Sequence, residues 1–120
     1  MSWNESEILA ARRRILKTAQ AMLAGTCSYI EGARQIVAAW RNSKLDESDA
    51  NPFIAIDSET ETLPFGEARS YWQAAALEAL QPEINRSEAW ARKFGEPYCR
   101  NLVKRLSEDK TGTGPLPKSN

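Results

Sequence analysis

Between Ile8 and Trp40, apolar residues recur in adjacent pairs seven apart: Ile8/Leu9, Ile15/Leu16, Met22/Leu23, Tyr29/Ile30 and Ile36/Val37. Ala19, Ala33 and Trp40 fill the intermediate turns. A stripe of that width is what an amphipathic helix presents to a core. Gly25 has the character of a C-terminal cap, and Ser28-Tyr29-Ile30-Glu31 has the form of a capping box, so two helices are open as an alternative. The seven-residue phase passes through Gly25 unbroken, however, and favours one long or bent helix over about residues 5–42. A strict heptad drifts around a straight helix, so the pattern also implies bending around a partner helix.

From Asn42 to Gly66 the periodicity stops. Turn formers and acids surround one short apolar run, Phe53-Ile54-Ala55-Ile56, followed by Asp57-Ser58-Glu59-Thr60-Glu61. This predicts an ordered acidic loop over 45–67 with at most one short strand, pinned to the helices by its apolar residues, Leu63, Pro64 and Phe65. Helical patterning returns near Ala68, and Leu77, Leu80, Ile84, Ser87, Ala91 and Phe94 step by three and four. Pro82 either starts a helix or kinks one. Pro97, after Gly95, predicts the start of a final helix whose apolar face is Cys99, Leu102, Val103 and Leu106.

The expected architecture is therefore all-α, a long N-terminal helix packed against two or three C-terminal helices with an acidic loop between them. At 120 residues the chain fits one domain, over 1–107. Residues 108–120, with two Gly and two Pro among small polar residues, predict a disordered tail.

Charge is informative through its placement alone. The chain is formally neutral, but residues 1–44 carry seven bases and three acids, whereas 45–67 carry seven acids and no base. An acidic middle can be satisfied within the fold, and it can also attract a basic partner. No apolar run approaches the length that spans a bilayer, and the start lacks a leader pattern, so the expectation is a cytoplasmic protein without a membrane partner. Cys27 and Cys99 fit no metal or disulfide framework and read as reduced core residues.

No histidine is present, which excludes Ser-His and Cys-His nucleophilic machinery and His-containing metal sites. Nucleotide-cradling glycine loops are missing too, so the sequence offers no catalytic, cofactor-binding or metal residues. One run needs separate treatment. Phe53 to Thr60 resembles the first motif of the DEDD-type 3′–5′ exonucleases, an apolar strand followed by Asp-x-Glu-Thr. Those enzymes clamp two metal ions with further aspartates, and after Glu61 the only aspartate is Asp109. A metal-dependent phosphodiesterase built on Asp57 and Glu59 is thus a remote alternative. The acids are better placed to pair with Arg34, Arg69 or a backbone amide. Arg12-Arg13-Arg14 and Lys17 diverge around a helix in a neutral chain, so nucleic acid is not expected as a partner. Of the tryptophans, Trp40, Trp72 and Trp90 lie within helical patterns, where core packing is the default.

Ser28 to Arg34, Pro52 to Gly66, Arg69 and Trp72 together resemble an uncharacterised family of small bacterial cytoplasmic proteins, with similarity over most of residues 6–106. The motif Ile-Asp-Ser-Glu-Thr is its most specific part, and this chain has Glu61 where that family has Asp. The resemblance implies a small helical protein of the size and type of immunity proteins that neutralise bacterial toxins, and implies no catalytic residue. The leading expectation is accordingly a non-catalytic binding protein with a protein partner, a cognate toxin being the most concrete case. Asp46, Glu47, Asp49, Asp57, Glu59 and Glu61 are the expected contacts. A structural or regulatory homo-oligomer, dimeric through the N-terminal helix, is the alternative.

Overall fold

A computed structural model describes residues 5–108; the predicted tail, and Trp3, lie outside the described residues except at Glu108. Four helices follow in order: α1 Glu5–Ala24, α2 Tyr29–Ser43, α3 Glu47–Glu59 and α4 Ala74–Glu108, with a short 3-10 turn Gly66–Tyr71 before α4. No strand occurs among the described residues. The all-α expectation holds, while three of its elements need correction.

The predicted helix over 5–42 is two helices. Gly25 takes a left-handed backbone (φ 85°). Around it the Gly25 and Thr26 amides donate to the carbonyls of Met22 (3.2 Å) and Ala21 (3.0 Å). That is the hydrogen-bond pattern of a glycine-terminated helix end. Three residues after Gly25, Ser28 caps α2, its Oγ accepting the Glu31 amide at 3.0 Å. The apolar stripe survives because α1 and α2 pack against each other and each turns its own heptad inward. Ile15, Ala19, Met22, Tyr29, Ile30, Ala33 and Ile36 are all buried. Packing is close enough that a methyl group placed on Gly32 would overlap the Met22 side chain.

The acidic segment is mostly helix, which removes both the loop and the strand over Phe53–Ile56. Asp46 is the N-cap of α3: its carboxylate accepts the Ser48 amide at 3.1 Å, and hydrogen bonds from Ser48 hold its carboxyl below the usual carboxylate range. Glu47 and Asp49 follow in the first turn, where the partial positive charge of a helix start favours acids. Ala50, Phe53 and Ile56, three residues apart, are the buried stripe, and Pro52 is accommodated beside it.

The C-terminal half is one 35-residue helix rather than two or three. Pro82 and Pro97 both lie on its exposed side, where carbonyls deprived of a helical donor can bond water instead. Its buried residues Ile84, Ala91, Gly95, Cys99, Leu102 and Leu106 form a continuous inner face. Gly95 lets α3 and α2 approach: a Cβ there would stand 3.0 Å from Ile56 Cδ1 and 3.4 Å from the Tyr29 ring. Cys99 is fully buried with Sγ 3.8 Å from Met22 Sδ, and Cys27 is half-buried; neither forms a disulfide. No helix of the described residues is long and apolar enough to cross a membrane.

Candidate functional site

The six acids expected to form one contact surface are distributed around and along α3. Asp46 caps its start, Glu47 follows in the first turn, and Asp49 is ion-paired with Arg105 of α4. Glu59 is the last helical residue and Glu61 follows it in the turn. The two groups are separated by the helix length, roughly 20 Å at 1.5 Å per residue. Asp57 and Glu59, two residues apart on a helix, point about 200° apart around it. That splay is the physical reason these acids neither share a face nor converge as a two-carboxylate metal clamp would require.

Asp57 faces α2. Its Oδ1 lies 3.6 Å from Arg34 Nε, and Arg34 Nη2 donates to the carbonyls of Thr60 and, at 3.2 Å, Leu63. The guanidinium also lies over the Phe65 ring, 5.5 Å from its centre. One arginine thus ties the C-cap residue of α3 to the turn leading away from it, through the carbonyls of Thr60 and Leu63, as the sequence expectation of an Arg34 partner anticipates. Arg69 makes no ion pair with these acids. Among the described residues no group of three or more His, Cys, Asp or Glu side chains is arranged to hold a metal ion.

Glu59 faces the opposite flank, toward α4. With Thr60, Arg86, Ser87 and Trp90 it lines an open cleft of about 230 Å³. Trp90 is 39% exposed and stacks on Phe94 (ring centres 5.4 Å apart, planes within 11°), which in turn packs against Tyr98 at 5.6 Å, itself 41% exposed. These three aromatics, spaced four residues apart, form a ladder along α4 beside its buried face. The side chains of Glu59 and Arg86 make no ion pair or hydrogen bond among the described residues.

Two of the tryptophans read as core are therefore on the surface, since Trp72 is also exposed while Trp40 is buried. The ladder's sequence signal was the four-residue spacing of positions 90, 94 and 98, offset from the stripe at 84, 91, 95, 99, 102 and 106. Arg86 had no such signal, because its place opposite Glu59 depends on how α3 lies on α4.

No family model matches the chain, and neither curated protein sequences nor solved structures give a significant match.

Proposed function

We propose that the chain is a non-catalytic binding protein, most concretely an immunity protein that neutralises a bacterial toxin by covering its active site, and that its contact face is the α3/α4 cleft and the aromatic ladder beside it. The observation that carries this reading is the pair of large aromatics, Trp90 and Tyr98, held on the surface by stacking through Phe94. Rigid, partly exposed Trp and Tyr side chains flanked by charge have the composition of binding hot spots. Glu59, which lines the cleft with Trp90, adds negative charge, which suits a basic surface and raises association rates with it. Growth rescue tests the reading: the chain should protect cells that express the toxin it antagonises, and Trp90→Ala with Tyr98→Ala should abolish protection. Equal protection by the double variant would remove this face from the function.

A second reading, a homo-oligomer, is favoured by a groove of about 510 Å³ between α1 and α2, floored by Ala10, Ala11, Ala38 and Ala39 and edged by Glu7 and Arg14. Glu7 and Arg14 are one heptad apart, so a second α1 laid antiparallel would oppose unlike charges. Light scattering that gives a monomer at every concentration would eliminate it.

A further inference from the structure

The cleft has a chemical character narrower than an acidic surface. Phe94 lies one helical turn beyond Trp90 and covers one face of its indole. Arg86 and Ser87, which line the cleft with Trp90, lie one turn before it, so the cleft opens on the other face. An aromatic face attracts cations through its quadrupole. Opposite it stands the Glu59 carboxylate, at the C-terminal end of α3, where the partial negative charge of the helix end also favours cations. No basic residue of α3 itself occupies that last turn.

The molecule already shows how these groups are used. On the other flank of the same helix end, Arg34 is held between an aromatic ring and a carboxylate, Phe65 and Asp57, and donates to the carbonyls of Thr60 and Leu63 just beyond the helix. The cleft presents the same two groups, ring and carboxylate, to solvent. A volume of about 230 Å³ suits one side chain rather than a larger ligand.

We propose that this cleft receives an arginine side chain of a protein partner, its guanidinium stacked on the free face of Trp90 and paired with Glu59. The inference rests on the binding reading above and names the chemistry by which that face selects its partner. Arginine fits better than lysine because its planar group stacks while donating in its own plane. Arg86 is the one opposing charge in the cleft, and it sets up a test by sign. A bound cation is helped by Glu59 and hindered by Arg86, whereas a bound carboxylate would show the reverse.

The experiment follows the Trp90 indole N–H by NMR, assigned with Trp90→Phe. The whole chain is titrated with Nα-acetylarginine amide and, at matched ionic strength, with its uncharged analogue Nα-acetylcitrulline amide. The expected result is a saturable shift confined to Trp90 among the four indoles, with citrulline much weaker. Glu59→Gln raises Kd about two- to fivefold, the range of one exposed ion pair or cation–π contact, and Arg86→Gln lowers it. Equal response to the two probes, no change in Glu59→Gln, or weaker binding in Arg86→Gln would overturn the proposal. Unchanged melting temperatures show that the surface variants report on binding. If arginine leaves Trp90 unmoved while the Trp90/Tyr98 double variant still loses protection, the arginine site falls and the binding face stands; if the double variant protects fully, the face itself falls.

Discussion

Glu88, in the middle of α4, receives the first two backbone amides of α2: its Oε2 accepts from Tyr29 N at 2.7 Å and its Oε1 from Ile30 N at 3.3 Å. A carboxylate from one helix thus caps another, meeting amide donors that α2 cannot satisfy itself and sitting where the helix dipole favours negative charge. Ser28 accepts from the next amide, Glu31, so the break between α1 and α2 is tied down from both sides.

Replacing Glu88 by Ala should destabilise the fold by about 1–3 kcal/mol, the range for hydrogen bonds to a charged group and for helix caps. Glu88→Gln keeps an acceptor but loses the charge and should fall between. Urea unfolding measures both; an Ala variant as stable as the parent would show that solvent replaces the cap freely.

Arg34 is expected to matter more than its ion pair does. Asp57→Asn should cost less than about 1 kcal/mol, as for a partly exposed pair. Arg34→Ala, which also removes the Arg34 donor from the Leu63 carbonyl and one of two donors from the Thr60 carbonyl, should cost about 2–3 kcal/mol. Lysine at 34 cannot reach two carbonyls and a carboxylate at once and should restore less than half. Equal losses for Asp57→Asn and Arg34→Ala would contradict this division.

Close approach at Gly32 gives a third expectation. Gly32→Ala overlaps Met22 and should destabilise by about 1–3 kcal/mol despite a better helix former. Pairing it with Met22→Ala should recover part of that loss in a double-mutant cycle. No recovery would locate the strain elsewhere.

Alkaline pH should loosen the core. Burial, the leading cause in both cases, raises the Cys99 thiol and the Tyr29 phenol to about 12 each. For Tyr29 the neighbouring Cys99 and Glu96 add to the rise, while Arg92 and Arg100 oppose it. Both groups are neutral when protonated, so the folded state binds their protons more tightly than the unfolded state does. Stability is full below the ordinary values, 9.0 for Cys99 and 10.0 for Tyr29, and is lost as pH rises from there toward 12. Melting temperature should fall over that window, less steeply in Cys99→Ala after allowing for its own packing loss.

The heptad pairs from Ile8 to Trp40 were legible because burial on one helical face leaves a mark in any single helix, and from Ile15 onward every position they named is buried or packed on the core, while Ile8 and Leu9 are only partly buried. The same count could not separate one helix from two. Antiparallel neighbours joined by a four-residue turn keep the number, and the decision lay in Gly25 and Ser28, whose cap chemistry outweighed the phase. At α3 the local pattern misleads: Asp46, Glu47 and Asp49 fall in a stretch whose acids and turn formers predict a loop, although acids at those positions start a helix, and the apolar run Phe53–Ile56 suggests at most a short strand. Pro97 looked like a boundary because its cost depends on which side of the helix it occupies, a property of tertiary packing. The cleft of Glu59, Arg86 and Trp90 joins residues from two elements far apart in sequence, and no local pattern records that meeting.

Whether the α3/α4 face binds a protein is decided by affinity capture from the source cells, with the parent chain and the Trp90→Ala/Tyr98→Ala variant compared by quantitative mass spectrometry. The expected result is one partner, recovered in near-equal amount with the parent and reduced at least about tenfold with the variant, whose melting temperature is unchanged. Recovery of that partner in equal amount by both chains would contradict it.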